Sequence, residues 1–131
     1  MYSCFANVVG LDFSPEMLAE ADQKDIYRFL IEADLEEKLL IEDATYAGAI
    51  SCGTFTHGHV GPSAFREIFR VLEQGAPFAC TIHSQLWTSA GFDQALAILE
   101  NERVMSIETI SDESYFEGES ADGKFCIFRK I

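Results

Sequence analysis

Val8-Val9-Gly10-Leu11-Asp12-Phe13-Ser14-Pro15-Glu16-Met17-Leu18 is the stretch whose reading decides the fold. Val8, Val9 and Leu11 form a short apolar run that ends on an acid, and a helix start follows at once. Ser14 has a hydroxyl that caps a helix, and Pro15 suits the first helical position, where its missing N–H costs nothing. A strand that hands over directly to a helix is the opening of a strand–helix–strand unit. A carboxylate at the carboxyl end of a parallel strand sits where open α/β sheets bind ligands, and there it can accept hydrogen bonds from both hydroxyls of a ribose.

Working outward, the same alternation continues. Residues 15 to about 23 are predicted helical, with Met17, Leu18 and Ala21 on the buried side. Tyr27 to Ala33 is a second strand-like run ending at Asp34, followed by an acidic segment from Glu36 to Asp43; the acidic run from Glu32 to Asp43 is read as solvated surface and not a metal site. Tyr46 to Phe55 is a buried strand leading into the turn-rich Thr56-His57-Gly58-His59-Val60-Gly61-Pro62. From Ser63 to Glu73, Phe65, Ile68, Phe69 and Leu72 recur at helical spacing, while Arg66, Glu67, Arg70 and Glu73 fill the other side. Gly75 and Pro77 stop that helix. Phe78 to Ile82 is a strand and Phe92 to Glu100 a helix. Val104 to Ile110 and Lys124 to Ile131 close the chain as strands, with a turn at Asp122-Gly123. The pattern predicts an α/β fold: a mostly parallel sheet with helices on both faces and an antiparallel final pair.

Composition bounds the function. The chain has 131 residues, enough for one domain with a real core, and residues 1–131 are read as a single domain. It is 48% hydrophobic with 11 Phe, which excludes a disordered chain. Twenty-two acids against 9 bases leave a net charge of −13, with 11 acids before residue 66 and 11 after it. No basic run is available to neutralise phosphates, so nucleic-acid binding is not expected, and anionic membrane surfaces are disfavoured by the same repulsion. No apolar run approaches the ~20 residues of a membrane span, and no secretory signal is visible. Cys4, Cys52, Cys80 and Cys126 are widely spaced without a C-x-x-C. They read as buried thiols rather than disulfides or metal ligands, which implies a reducing, cytoplasmic setting.

Several segments, in order, resemble class I S-adenosylmethionine-dependent methyltransferases. Val8 to Leu18 is similar to the second-strand motif, whose acid holds the adenosyl ribose. Leu30-Ile31-Glu32-Ala33-Asp34-Leu35 is similar to the third strand, whose terminal acid and next residue frame the adenine. Ala49-Ile50-Ser51-Cys52-Gly53-Thr54-Phe55 resembles the fourth strand and the loop beside the transferred methyl. Arg70-Val71-Leu72-Glu73-Gln74-Gly75-Ala76-Pro77-Phe78 resembles the R-V-L-K-P-G-G-x-F turn into the fifth strand. The G-x-F/L-x-x-G-x-V pattern from Gly53 to Val60 is similar to the Williams–Beuren-region methyltransferase group. The resemblance implies a Rossmann-like sheet, S-adenosylmethionine as cofactor and a small-molecule methyl acceptor. It places Asp12, Phe13, Asp34, Leu35, Gly53 and Thr54 on the cofactor side. Phe55, His59, His83 and Trp87 fall on the acceptor side, and His57 is the candidate general base.

The residues themselves leave other readings open. Asp12 can serve as an exposed acid assisting a helix N-terminus. Asp34 can be a solvated acid, and Leu35 plain core. His57 and His59 form an H-x-H pair, but no third ligand has convincing spacing, so no metal is expected. They can equally be ordinary loop histidines, and His83 and Trp87 can simply pack under a loop.

The family's pattern is not complete here. Its glycine-rich turn lies about 20 residues before the ribose acid, between a first strand and a helix. Asp12 has eleven residues before it, and a strand–helix–strand unit needs roughly 30. The expectation is therefore a fragment of a longer methyltransferase, or a relative reduced at its N-terminus. Tyr46-Ala47 stands where a Tyr-Asp pair is common, and Gln74 and Ala76 replace a Pro and a Gly of the later turn. In the absence of the first strand, the strands ending at Asp12 and Phe55 are expected to pair with each other or with a second copy, as a homodimer. A non-catalytic α/β module acting through dimerisation or a partner is the competing functional reading.

Overall fold

A computed structural model describes residues 7–56, 60–114, 118 and 122–131. The chain divides into two compact units, residues 1–39 and 40–131.

The first unit holds β1 (Val9–Asp12), α1 (Pro15–Gln23) and β2 (Phe29–Glu32). The two strands are parallel, with Gly10 opposite Leu30 and Asp12 opposite Glu32. Gly10 is required by that approach: a Cβ there would lie 2.6 Å from Leu30 Cδ2. Ser14, in extended conformation, caps α1 by accepting a hydrogen bond from the Met17 amide, and Pro15 occupies the first turn. Leu18 and Ala21 are half-buried as expected, but Met17 is 52% exposed.

The second unit holds β3 (Ala49–Phe55), α2 (Ala64–Val71), β4 (Pro77–His83), α3 (Ser84–Ser89), α4 (Phe92–Asn101), β5 (Met105–Glu113) and β6 (Gly123–Lys130). Its sheet runs in the order β3-β4-β6-β5. β3 and β4 are parallel, while β6 is antiparallel to both β4 and β5. The antiparallel close is as the sequence implies, and the architecture is the expected Rossmann-like α/β class. Half of the ladders are parallel, however, and the strands form two sheets rather than one. Among the described residues β1 pairs only with β2, and β3 only with β4. The expected pairing of the strands ending at Asp12 and Phe55 is not among the ladders of the described residues.

The core of the second unit is aromatic. α2 buries Phe65, Ile68 and Phe69 on one stripe, as its periodicity demands. Phe65 meets the rings of Phe55, Phe69, Phe78, Phe92 and Phe128 at centroid distances of 4.9 to 6.4 Å. The crossovers β3-α2-β4 and β4-α4-β5 run in the same direction across the sheet. Right-handed connections then put both helices on one face. Among the described residues no helix of this unit lies on the other face, where helices on both sides were expected. Ile50, Ala79 and Ile127 stand in line across it, with Ile50 84% and Ile127 40% exposed, and Phe125 lies beside them.

The acids of the segment are exposed, as read, and its C-terminal end is tied to α2. Arg70 grips both carboxylate oxygens of Glu67 and also donates to Asp43 and to the Ile41 carbonyl. Hydrogen bonds to Glu67 and Asp43 hold its guanidinium firmly protonated, above its ordinary value. The amides of Ala44, Thr45 and Tyr46 donate to the carbonyls of Arg70 and Val71, which have no acceptor duty left inside the helix. Residues 41–46 are thus stitched to the end of α2.

Candidate functional site

In the first unit, parallel pairing brings the carboxyl ends of β1 and β2 side by side, so Asp12 and Asp34 lie at one sheet edge. Each carboxylate is oriented by the backbone that follows it. Asp12 Oδ1 accepts from the Ser14 amide at 2.9 Å, and Asp34 Oδ1 accepts from the Glu36 amide at 2.9 Å. The turn explains the rigidity: a short acid that bonds two residues ahead fixes its own rotamer. The second oxygen of Asp12 has no partner among the described residues, which leaves an anchored carboxylate with acceptor capacity for a diol. That acceptor fits the hydroxyls of a ribose. Phe13, the next residue, is 71% exposed, a large apolar ring left at the same edge. Leu35 is half-buried.

In the second unit, Gly53 and Thr54 sit in a bulge near the carboxyl end of β3. Register shifts there, since Ser51 faces Cys80 but Phe55 faces Ile82. Gly53 has φ +78°, and its amide donates to the buried Thr81 hydroxyl at 3.2 Å. The Ser51 hydroxyl donates to Thr54 Oγ1. The bulge takes the Gly53 amide off the strand ladder and gives it to a side chain instead. A Cβ at Gly53 would meet nothing within 4 Å, so Gly53→Ala carries backbone strain alone. It is expected to lower stability by about 1 kcal/mol, read as a reduced urea midpoint at unchanged m-value.

His83 and Trp87 come together at the carboxyl end of β4, but each has a structural duty. His83 Nδ1 accepts from the Gln85 amide and caps α3. Lys124 Nζ lies 5.4 Å from the Trp87 ring centroid and pairs with Asp112. Phe55 is corrected outright. It is fully buried and stacked on Phe65, so it is core and not an acceptor contact. His57 and His59 lie outside the described residues.

The sequence reading missed α3 and the Ser84 hydroxyl at its start. That oxygen is buried without a hydrogen-bond partner among the described residues. A hollow of about 310 Å³ between Arg66, Phe69, Arg70, Val104, Lys130 and Ile131 contains none of the candidate residues. Its arginines are already neutralised by Glu102, Glu67 and Asp43, so it is a joint in the fold rather than a receptor. Among the described residues no group of three or more His, Cys, Asp or Glu is placed to hold a metal ion, and no helix is long and apolar enough to cross a membrane.

Residues 1–80 match the family model described as a methyltransferase domain. The chain belongs to that family. Solved structures agree on the fold. A putative S-adenosylmethionine-dependent methyltransferase from Listeria monocytogenes is 13% identical, with 96% of this chain and 81% of that one covered at a TM-score of 0.72. An S-adenosylmethionine-dependent methyltransferase from Methanosarcina mazei is 16% identical, with 95% and 82% covered at 0.68. A TehB-like S-adenosylmethionine-dependent methyltransferase from Corynebacterium glutamicum is 18% identical, with 95% and 68% covered at 0.69. No curated protein matches the chain in sequence.

Proposed function

We propose that this methyltransferase-family chain binds S-adenosylmethionine and directs its methyl to a small-molecule nucleophile. The observation that carries the reading is the pair of anchored carboxylates at neighbouring parallel strand ends, with the second oxygen of Asp12 left to accept. Asp12 and Phe13 would take the ribose side, Asp34 and Leu35 the adenine, and Gly53 and Thr54 the region of the methyl. The cofactor, when bound, supplies an electrophilic methyl. What remains for the protein is to align the acceptor in line and remove its proton. His57 is the proposed base, with His59, His83 and Trp87 on the acceptor side. The pattern from Gly53 to Val60 supports placement near the Williams–Beuren-region group. Three unbridged thiols, Cys52, Cys80 and Cys126, suit a reducing cytoplasm.

Calorimetric titration of the chain with S-adenosylmethionine tests the cofactor, followed by measurement of S-adenosylhomocysteine released over a panel of small nucleophiles. Saturable binding and acceptor-dependent release are expected. No saturable heat at millimolar ligand rejects the reading.

Among the described residues β1 and β3 each have one edge without a strand partner, and such an edge is a template for another chain, which favours a second copy as partner. Sedimentation velocity should show a weight-average mass that rises with concentration. A monomer throughout the micromolar range removes the homodimer.

A further inference from the structure

Cys80 and Cys126 face each other across the β4–β6 ladder. Directly opposed residues of an antiparallel pair have Cα atoms roughly 4.5–5.5 Å apart, inside the window of about 4.4–6.8 Å that a disulfide spans without backbone movement. Both side chains lie on the helix-covered face and are buried, at 4% and 2% exposure. The Cys126 thiol donates to the Lys124 carbonyl at 3.7 Å. Cys52, by contrast, is exposed, and its neighbour Ser51 is the residue that faces Cys80. Strand alternation therefore points Cys52 to the opposite face.

We propose that Cys80 and Cys126 form an oxidation site that closes into a disulfide between β4 and β6 when the protein meets a peroxide. The two thiols are not equivalent. Interaction with Cys80 and the nearby Lys124 charge pull the Cys126 thiol down against the effect of burial. The same interaction, with burial, pushes Cys80 up. Cys126 is thus the sulfur that attacks first, since the thiolate is the nucleophile. Its sulfur bonds to one peroxide oxygen as the O–O bond breaks, giving a sulfenic acid, and the departing hydroxide takes the thiol proton as water. Cys80 sulfur then attacks Cys126 sulfur: the S–S bond forms, the S–O bond breaks, and a second water carries off the Cys80 proton. Two thiols are oxidised by two electrons and one peroxide is reduced to two waters. A hydrogen-peroxide-sized oxidant suits this site, because the core around Phe78 and Phe128 has no room for a bulky mixed disulfide.

The test uses the full chain, reduced and then exposed to hydrogen peroxide. Its intact mass should fall by two hydrogens, and non-reducing peptide mapping should join the Cys80 peptide to the Cys126 peptide. The thermal midpoint should rise by roughly 10 °C and return on reduction. Cys52→Ser should behave as the parent, and Cys126→Ser should lose both changes. Because Cys126→Ser can disturb the core, mapping of the parent decides independently. A parent that gains oxygen instead of losing hydrogens, or whose disulfide maps to Cys52 or joins two copies, overturns the proposal.

Discussion

Replacing Phe65 with alanine is expected to cost the protein about 3–5 kcal/mol, the usual loss for a large aromatic removed from a packed core. Phe65 is fully buried and touches five other rings that arrive from β3, α2, β4, α4 and β6. No neighbouring side chain can fill the space, because each of those rings is held by its own element. Against a total stability of roughly 5–15 kcal/mol, such a loss takes a large share. Thermal unfolding followed by circular dichroism should show a midpoint lowered by roughly 10 °C or more. Phe65→Leu should fall between parent and alanine variant, since it retains apolar volume while losing the edge-to-face contacts. A midpoint equal to the parent's would mean that the aromatic cluster is not the centre of the core.

The second large effect concerns the ribose acid. Asp12→Ala is expected to weaken S-adenosylmethionine binding by roughly 10- to 100-fold, the worth of one or two charge-assisted hydrogen bonds. Asp12→Asn separates two contributions. It keeps an oxygen that can accept from the Ser14 amide, but it replaces an oxygen acceptor with an amide donor. Its affinity should therefore fall nearly as far as in the alanine variant, while its unfolding midpoint stays near the parent's. Equal cofactor affinity in parent, Asp12→Asn and Asp12→Ala would take Asp12 out of the site.

Elements with strict periodicity and clear end signals were legible in advance. α2 is the best case: its buried stripe contains Phe65, Ile68 and Phe69. The Ser14 cap and Pro15 start of α1 also stand where the residues place them. α3 was not legible, because Ser84 to Ser89 is six residues long with no apolar repeat, and its cap is a histidine accepting through Nδ1. The open sheet face was hidden for another reason. Ile50, Phe125 and Ile127 read as core by residue type, and only the direction of the crossovers decides which face a helix covers. At the site, local chemistry did better than burial. The strand-end position of Asp12 could be read from the chain, whereas Phe55, the end of a strand read as buried, was put on the acceptor side by the resemblance and belongs to the aromatic cluster. Arg70 was missed as the anchor of residues 41–46. Its partners Glu67 and Asp43 are 24 residues apart in the chain and meet only in the folded unit.

The uncovered face of the four-stranded sheet has a colloidal consequence. Apolar side chains such as Ile50 and Ile127 attract their like on another molecule at contact range, whereas a net charge of −13 repels from farther out. The charge thus acts as the missing cover. That cover is conditional: at 0.15 M salt its reach is only about 8 Å, and it thins further as salt is added. It vanishes near pH 4.4, where the molecule is neutral while its apolar face is unchanged. Solubility is therefore set by the acids far more than by the fold, and the clear-solution window should lie at neutral pH and low ionic strength.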